Sequence, residues 1–164
     1  MKLWAFIVTV LACLAFCSII NERLGIDFLI YRQAGSGNLS VNAFGYGWLY
    51  ADWTAVLFRP PLAWFSYQTS FLVWYSLLIL SCGFISTKLM EIPYGQFLLL
   101  FAVPTYCFTL YSGNMYPILL TCSFSPWGIL LAGLVKPHLL GLILFVAFGK
   151  RIGLYLLARF HPKG

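Results

Sequence analysis

Charged residues are scarce in this sequence, and acidic residues are the scarcest. Only 9% of the 164 residues are Asp, Glu, Lys or Arg, and only four are acidic. Ordinary soluble domains carry roughly 25% charged residues and about 45–50% apolar ones, whereas this chain is 62% hydrophobic with a mean hydropathy of +0.89. The composition therefore argues against a soluble globular domain and predicts one integral membrane domain over residues 1–164.

Residues that bind metals are also few. The chain has two histidines, His138 and His161, and its five cysteines include no C-x-x-C pair. A structural zinc site needs about four such ligands at matched spacing, so we expect no metal site and no cofactor. The cysteines all lie in apolar segments, where they are expected to be small buried hydrophobes: Cys13, Cys17, Cys82, Cys107 and Cys122.

The formal charge of +6 does not indicate a nucleic-acid partner. A basic surface for phosphates would be clustered, but here most basic residues stand at the ends of apolar segments, which is the positive-inside pattern. We expect cytoplasmic termini, with a basic tail at 150–164, and a place in the plasma membrane, where the tail can touch anionic lipid headgroups. The residues concerned are Lys2, Lys88, Lys150, Arg151, Arg159 and Lys163.

Long apolar runs predict an all-α, polytopic transmembrane bundle. Residues 3–20 carry no charge and are about long enough to span a bilayer. The same run behind Lys2 has some features of a signal peptide, but it lacks a polar stretch before its cysteines. Residues 21–70 then form a long outer segment, and further transmembrane helices are expected within 71–149.

Two of those later helices are predicted at 71–87 and 97–110. The second would be only about 21 Å long, less than the roughly 30 Å hydrocarbon core. Gly113, Asn114 and Pro117 should end it, and the chain should return over 115–124. The last apolar stretch either crosses as one straight span or forms a hairpin broken at Lys136-Pro137. Proline disfavours helix at the preceding residue, which favours the hairpin.

The outer segment is rich in aromatic residues between 44 and 58. Such residues favour the membrane–water boundary, and from Trp48 onward they suit a helix that lies in the membrane surface. The stretch "FRPPLAW" at 58–64 should then turn the chain back toward the bilayer.

A few polar residues in or beside the apolar segments are candidates for chemistry. Asp27 is either an interfacial acid paired with Arg23 or a functional carboxylate. Arg32 and Arg59 either anchor on lipid phosphates or hold a substrate phosphate. Lys136 would cost roughly 2.5–3.5 kcal/mol at the centre of a span, so it either snorkels to water or serves an anion in a polar cavity.

The order of these features resembles the front part of glycosyltransferase family 87, a family of GT-C membrane enzymes. That family begins with a transmembrane helix and then an Asp, an aromatic or Leu, a Tyr and an Ala. In chain order the matching elements are Asp27, Phe28, Tyr31 and Ala34; "RPPLA" (59–63), with Arg59 in place of the usual Tyr; Trp74; Gly113 and Asn114; "AGLVKP" (132–137); and Lys150-Arg151.

The resemblance implies transfer of a sugar, for example mannose, from a polyprenyl-phosphate donor to a lipid or glycan. Asp27 would be the catalytic base, and the substrate would be bound by Tyr31, Arg32, Arg59, Asn114 and Lys136. Family members are much longer than this chain. The alternative interpretation is therefore a non-catalytic small membrane subunit that packs on a larger complex, and a partner subunit could instead supply the missing helices of a split enzyme.

Overall fold

The computed structural model describes residues 2–20, 25–38, 52–92 and 94–136. Within these ranges every regular element is helical, which confirms the all-α prediction. The elements are α1 (Lys2–Ile19), α2 (Ile26–Gly35), a 3₁₀-helix (Asp52–Phe58), a π-helix (Arg59–Ala63), α3 (Tyr67–Leu89), α4 (Gly95–Ser112), α5 (Tyr116–Cys122) and α6 (Pro126–Val135). The chain forms two compact units that divide between Thr121 and Cys122.

The helices α3 and α4 are each long and apolar enough to cross a membrane. Both carry large apolar side chains that are exposed, including Leu72, Leu80, Leu100 and Phe101. A helix that is apolar around its whole circumference is typical of a membrane span or of a large core. The expected spans at 71–87 and 97–110 therefore lie within helices of suitable length and composition.

The helix α4 is longer than the sequence predicts. It begins at Gly95, after Tyr94 in a left-handed conformation (φ 61°), and ends at Ser112 with Gly113 as its left-handed cap (φ 76°). Its 18 residues give about 27 Å of helix, which is close to the hydrocarbon thickness. A Cβ at Gly95 would collide with the carbonyl of Leu89 at the end of α3, so the turn between the two helices is tight.

The apolar run from 115 to 135 is interrupted. The helix α5 ends at Cys122, and α6 starts after Ser125, whose hydroxyl accepts the backbone N–H of Gly128 at 3.0 Å. This Ser-Pro start is a common helix N-terminus. At the other end α6 stops at Val135 and Lys136 is non-helical (φ −133°, ψ 88°), as a following proline favours. The expected hairpin beyond this point lies outside the described residues.

The regular elements within the described parts of 21–70 are all helical, and short turns and bends follow them at 36–38 and 64–66. The expected surface helix from Trp48 begins outside the described ranges, and from Asp52 the chain forms the 3₁₀-helix and then the π-helix. Pro60 and Pro61 lack a backbone N–H, so regular α-helical bonding cannot continue through them. Ser66 then caps α3 by accepting the N–H of Thr69 at 3.3 Å.

Candidate functional site

The carboxylate of Asp27 lies in the first turn of α2, where it is half-buried. The helix begins after Gly25, which adopts a left-handed conformation (φ 99°) that few side chains tolerate. The N-terminus of a helix presents unpaired backbone N–H groups and a positive dipole end, which stabilise a nearby anion. The sequence thus places its acid at the end of α2 that favours negative charge.

Asn114 holds this carboxylate directly. Its Nδ2 donates a hydrogen bond to Oδ2 of Asp27 at 2.7 Å, and its Oδ1 accepts the backbone N–H of Tyr116 at 3.2 Å. Because the side-chain oxygen is engaged by an N–H, the amide nitrogen must be the atom that faces the acid. The structure brings together two of the predicted site residues that are 87 positions apart.

Two left-handed glycines allow this contact. Gly113 precedes Asn114, and a Cβ on it would lie 3.1 Å from the backbone nitrogen of Phe28 and 3.2 Å from the Cα of Gly25. The N–H of Gly25 also donates to the carbonyl of Tyr111 at 3.0 Å. The start of α2 and the end of α4 are therefore in backbone contact, and a larger residue at 113 would push them apart.

Tyr31 lies in the core and not on an open surface. Its side chain is 2% exposed, and its ring stacks on Phe58 with centroids 5.0 Å apart and meets Trp74 at 5.5 Å. The indole Nε1 of Trp74 donates to the carbonyl of Gly113 at 2.8 Å. This aromatic cluster of Tyr31, Phe58 and Trp74 joins α2, the 3₁₀-helix and α3 to the turn that carries Asn114.

Arg32 lies in the last turn of α2 and is half-buried. Its Nη2 donates to the carbonyl of Phe65 at 3.3 Å, and its guanidinium lies 5.8 Å from the ring centre of Tyr67. Among the described residues its Nε has no hydrogen-bond partner. Its neighbours therefore fix the position of the guanidinium, and at least one of its N–H donors is not used by the described residues.

Arg59 is exposed and lies at the far end of α2 from Asp27. A Cβ on Gly35 would lie 2.9 Å from the carbonyl oxygen of Phe58 and 3.3 Å from the nitrogen of Arg59. From Asp27 to Gly35 the helix rises about 12 Å. The structure therefore separates an acid end of α2, with Asp27 and Asn114, from a cation end, with Arg32 and Arg59.

Lys136 belongs to the second compact unit. It is 3% exposed, and its backbone N–H donates to the carbonyl of Ala132 at 2.8 Å, which closes the end of α6. A buried lysine at a helix C-terminus lies where the dipole favours a cation. Its expected role toward a substrate stays a prediction.

The carboxylate of Asp27 can accept a proton, and its one contact with another side chain described here is with the amide of Asn114. Within the described part of the chain, no group of three or more His, Cys, Asp or Glu side chains is arranged to hold a metal. A single carboxylate fixed by an amide donor is an arrangement suited to a general base.

Some of the residues that build the site are not predicted by the sequence alone. Trp74 is indicated only by the resemblance, and Phe58 falls among the aromatic residues expected at the membrane boundary. Gly25 offered a usable signal, because a glycine two positions before an acid at a helix start is a common N-terminal pattern. Phe58 gave none, since periodicity does not identify which distant ring it contacts.

No protein-family model matches the chain, and neither does any curated protein or solved structure.

Proposed function

We propose that this chain is a membrane glycosyltransferase, or the catalytic piece of a split one. It transfers a sugar, mannose in the first instance, from a polyprenyl-phosphate donor to a lipid or glycan acceptor. The observation that carries the proposal is the Asp27 carboxylate held at 2.7 Å by Asn114 at the start of α2, with two arginines toward the other end of the same helix. The order of motifs in the sequence supports it.

The chemistry needs one base and a site for a phosphate. Asp27 takes the proton of the acceptor hydroxyl as the oxygen attacks the anomeric carbon, and the bond to the donor phosphate breaks on the opposite face. A phosphate monoester has a second pKa near 6, so it leaves with little need for a general acid. A single displacement of this kind inverts the anomeric centre.

The cations stabilise the charge that develops on the leaving phosphate. Arg32 lies about 7.5 Å along the helix axis from Asp27, and the backbone of Arg59 lies beside Gly35, about 12 Å along that axis from Asp27. Arginine side chains extend several ångströms and bind phosphate through two parallel N–H groups, so a sugar phosphate can bridge the two ends. Lys136 would also stabilise the leaving phosphate, and the resemblance is the only support for this role.

The membrane setting is part of the proposal. The chain forms a polytopic bundle in the plasma membrane with both termini and Lys88 on the cytoplasmic side and residues 21–70 outside. Single cysteines that replace Ser40 and Lys150 should react with a membrane-impermeant maleimide from opposite sides. Labelling of both from the same side would contradict this orientation.

The deciding experiment measures lipids and glycans by mass spectrometry in cells with the chain, without it, and with Asp27→Asn. The amide keeps the size of the side chain but cannot take a proton, so the glycosylated product should fall about 10²–10⁴-fold while membrane insertion persists. Glu91→Gln is the matched control, because Glu91 is exposed and pairs with Lys88 at 3.1 Å. Unchanged product with Asp27→Asn, or equal loss in both variants, rules out Asp27 as the base.

A non-catalytic subunit is the second candidate, and the exposure of α4 favours it. Only 22% of the 18-residue apolar stretch of α4 is buried, against 50% of the corresponding stretch of α3. The exposed remainder of α4 leaves a large surface for another membrane protein. If this is the role, removing the chain leaves lipids and glycans unchanged and instead dissociates a larger complex on a native gel.

A further inference from the structure

The helices α1 and α3 pack closely through small residues. Gly83 has no side chain, and a Cβ there would lie 2.8 Å from the ring of Phe6 and 3.0 Å from a methyl of Val10. Nearby, the buried hydroxyl of Thr9 donates to the hydroxyl of Ser86 at 3.0 Å. Small and weakly polar residues allow membrane helices to approach in this way.

The same register brings two thiols together one turn further along. Cys13 follows Thr9 by four residues, and Cys82 precedes Ser86 by four, so the two cysteines face each other across antiparallel helices. Both are buried, at 5% and 0% exposure, and both are free thiols. The hydrogen bond between Thr9 and Ser86 fixes the register of the two helices, and this register places the two thiols opposite each other in the core.

We propose that Cys13 and Cys82 form an oxidisable dithiol whose disulfide, formed by a membrane-permeant two-electron oxidant, locks α1 to α3. The inference does not depend on the glycosyltransferase proposal. Free cysteines in a core are commonly only small hydrophobes. Here the close approach of α1 and α3 at Gly83, together with the register fixed by Thr9 and Ser86, places the two thiols opposite each other, as a disulfide between two helices requires.

A route to the pair also exists. A cavity of about 130 Å³ between α1 and α4 is lined by Cys13, Cys107 and Tyr106 together with mainly apolar side chains. It is apolar enough to admit a small uncharged reagent and to exclude charged oxidants. Cys13 is thus the thiol that the reagent reaches first, and Cys82, which is fully buried, resolves the adduct.

The reaction balances with diamide, an uncharged azodicarboxamide. One thiol adds across the N=N bond, which forms an S–N bond and moves the thiol proton to the other nitrogen. The second sulfur attacks the first, the S–S bond forms and the S–N bond breaks. The hydrazine that leaves carries both protons and both electrons.

The test treats the full chain in membranes with diamide, blocks the remaining thiols with N-ethylmaleimide and maps the peptides by mass spectrometry. We expect a loss of 2 Da, two fewer blocked cysteines than in the untreated chain, and a linked peptide pair that contains Cys13 and Cys82. Dithiothreitol should reverse all three. The crosslink should raise the melting temperature in detergent by several degrees, because it restricts the unfolded chain.

Single variants provide the controls. Cys13→Ala and Cys82→Ala should each abolish the linked pair, whereas Cys17→Ala and Cys107→Ala should leave it in place. Cys107 is a suitable control because it lines the same cavity as Cys13, and Cys17 because it lies one turn beyond Cys13 on α1. The proposal is overturned if wild-type chain keeps all five thiols after treatment, or if the linked pair is any other, such as Cys13 with Cys107.

Discussion

The two ends of α2 differ in how they are built. At the acid end a side-chain pair, Asp27 and Asn114, meets across a backbone contact made possible by Gly25 and Gly113. At the cation end the contact is between backbones, with Gly35 against the chain at Phe58, and the guanidinium groups remain partly or fully exposed.

The acid end thus holds a carboxylate in a fixed position, whereas the cation end keeps N–H donors available for a ligand. The acid is held rigidly, with one oxygen already engaged, which suits a group that must meet a substrate at a fixed distance. The arginines keep donors that the described contacts do not use, which suits binding of an anion that arrives from outside. The variants below test whether the two ends really have these separate properties.

Asn114→Asp should have the largest effect. The new carboxylate can still accept the N–H of Tyr116, but it can no longer donate to Asp27 and places a second negative charge beside it. We expect at least about 2 kcal/mol of lost stability and loss of most transfer activity, measured by unfolding in detergent and by the product assay. Gln96→Glu adds the same charge at an exposed site in the first turn of α4 and should be nearly neutral. Equal effects would show that net charge matters and the contact does not.

Gly113→Ala should come next. A Cβ there meets the backbone of Phe28 and Gly25 and forces a left-handed conformation on a residue with a side chain, which alone costs about 1–2 kcal/mol. Gly37→Ala is the matched control, because Gly37 also has a positive φ (93°) but nothing lies within 4 Å of its Cβ position. The difference between the two variants in unfolding free energy measures the close approach. If it is zero, the acid end does not depend on that approach.

Gly35→Ala should disturb the cation end and leave the acid end intact. Its Cβ would lie 2.9 Å from the carbonyl oxygen of Phe58, so the backbone must shift, at a cost of about 1–2 kcal/mol. The affinity for polyprenyl phosphate should fall by a larger factor than the rate of product formation at saturating donor. Gln33→Ala, on the exposed side of α2, is the control. A rate loss without a binding loss would contradict the division between the two ends.

Arg59→Gln should have the smallest effect on stability, within about 0.5 kcal/mol, because the side chain is exposed. Its effect should appear as weaker, less salt-sensitive binding of polyprenyl phosphate. Lys88→Gln removes the same charge at a site away from α2 and should not change that binding. If both variants weaken it equally, the contribution is from general charge and Arg59 is no specific ligand.

Local signals in the sequence predicted much of the helical structure. Gly113 with Asn114 ended α4, and Pro137 ended α6 at the residue before Lys136, because each residue type restricts its own or its neighbour's backbone. The break at Ser125-Pro126 carries an equally local signal, and it follows directly on the expected return over 115–124. Apolar residues continue on both sides of it, so composition alone does not show the stop.

The long-range contacts could not be predicted in the same way. Asp27 and Asn114 were both candidates, but nothing in the sequence says that one donates to the other. Tyr31 packs against Phe58 and Trp74, and its expected contact with a substrate stays a prediction, because an aromatic residue suits a core, an interface or a sugar site equally well. Only the approach of α2 to α3 decides among these.

The tight turn between α3 and α4 has a consequence for how the chain reaches a membrane. Because Gly95 lies directly against the carbonyl of Leu89, the second apolar helix follows the first out of the ribosome with almost no slack between them. Helical bonding satisfies the backbone of both helices, apart from the one bond that Pro104 removes within α4. Together the two helices bury Ser86 and Tyr106, whose hydroxyls bond to each other at 3.1 Å. The hairpin, and not the single helix, is therefore the natural unit of insertion for this part of the chain.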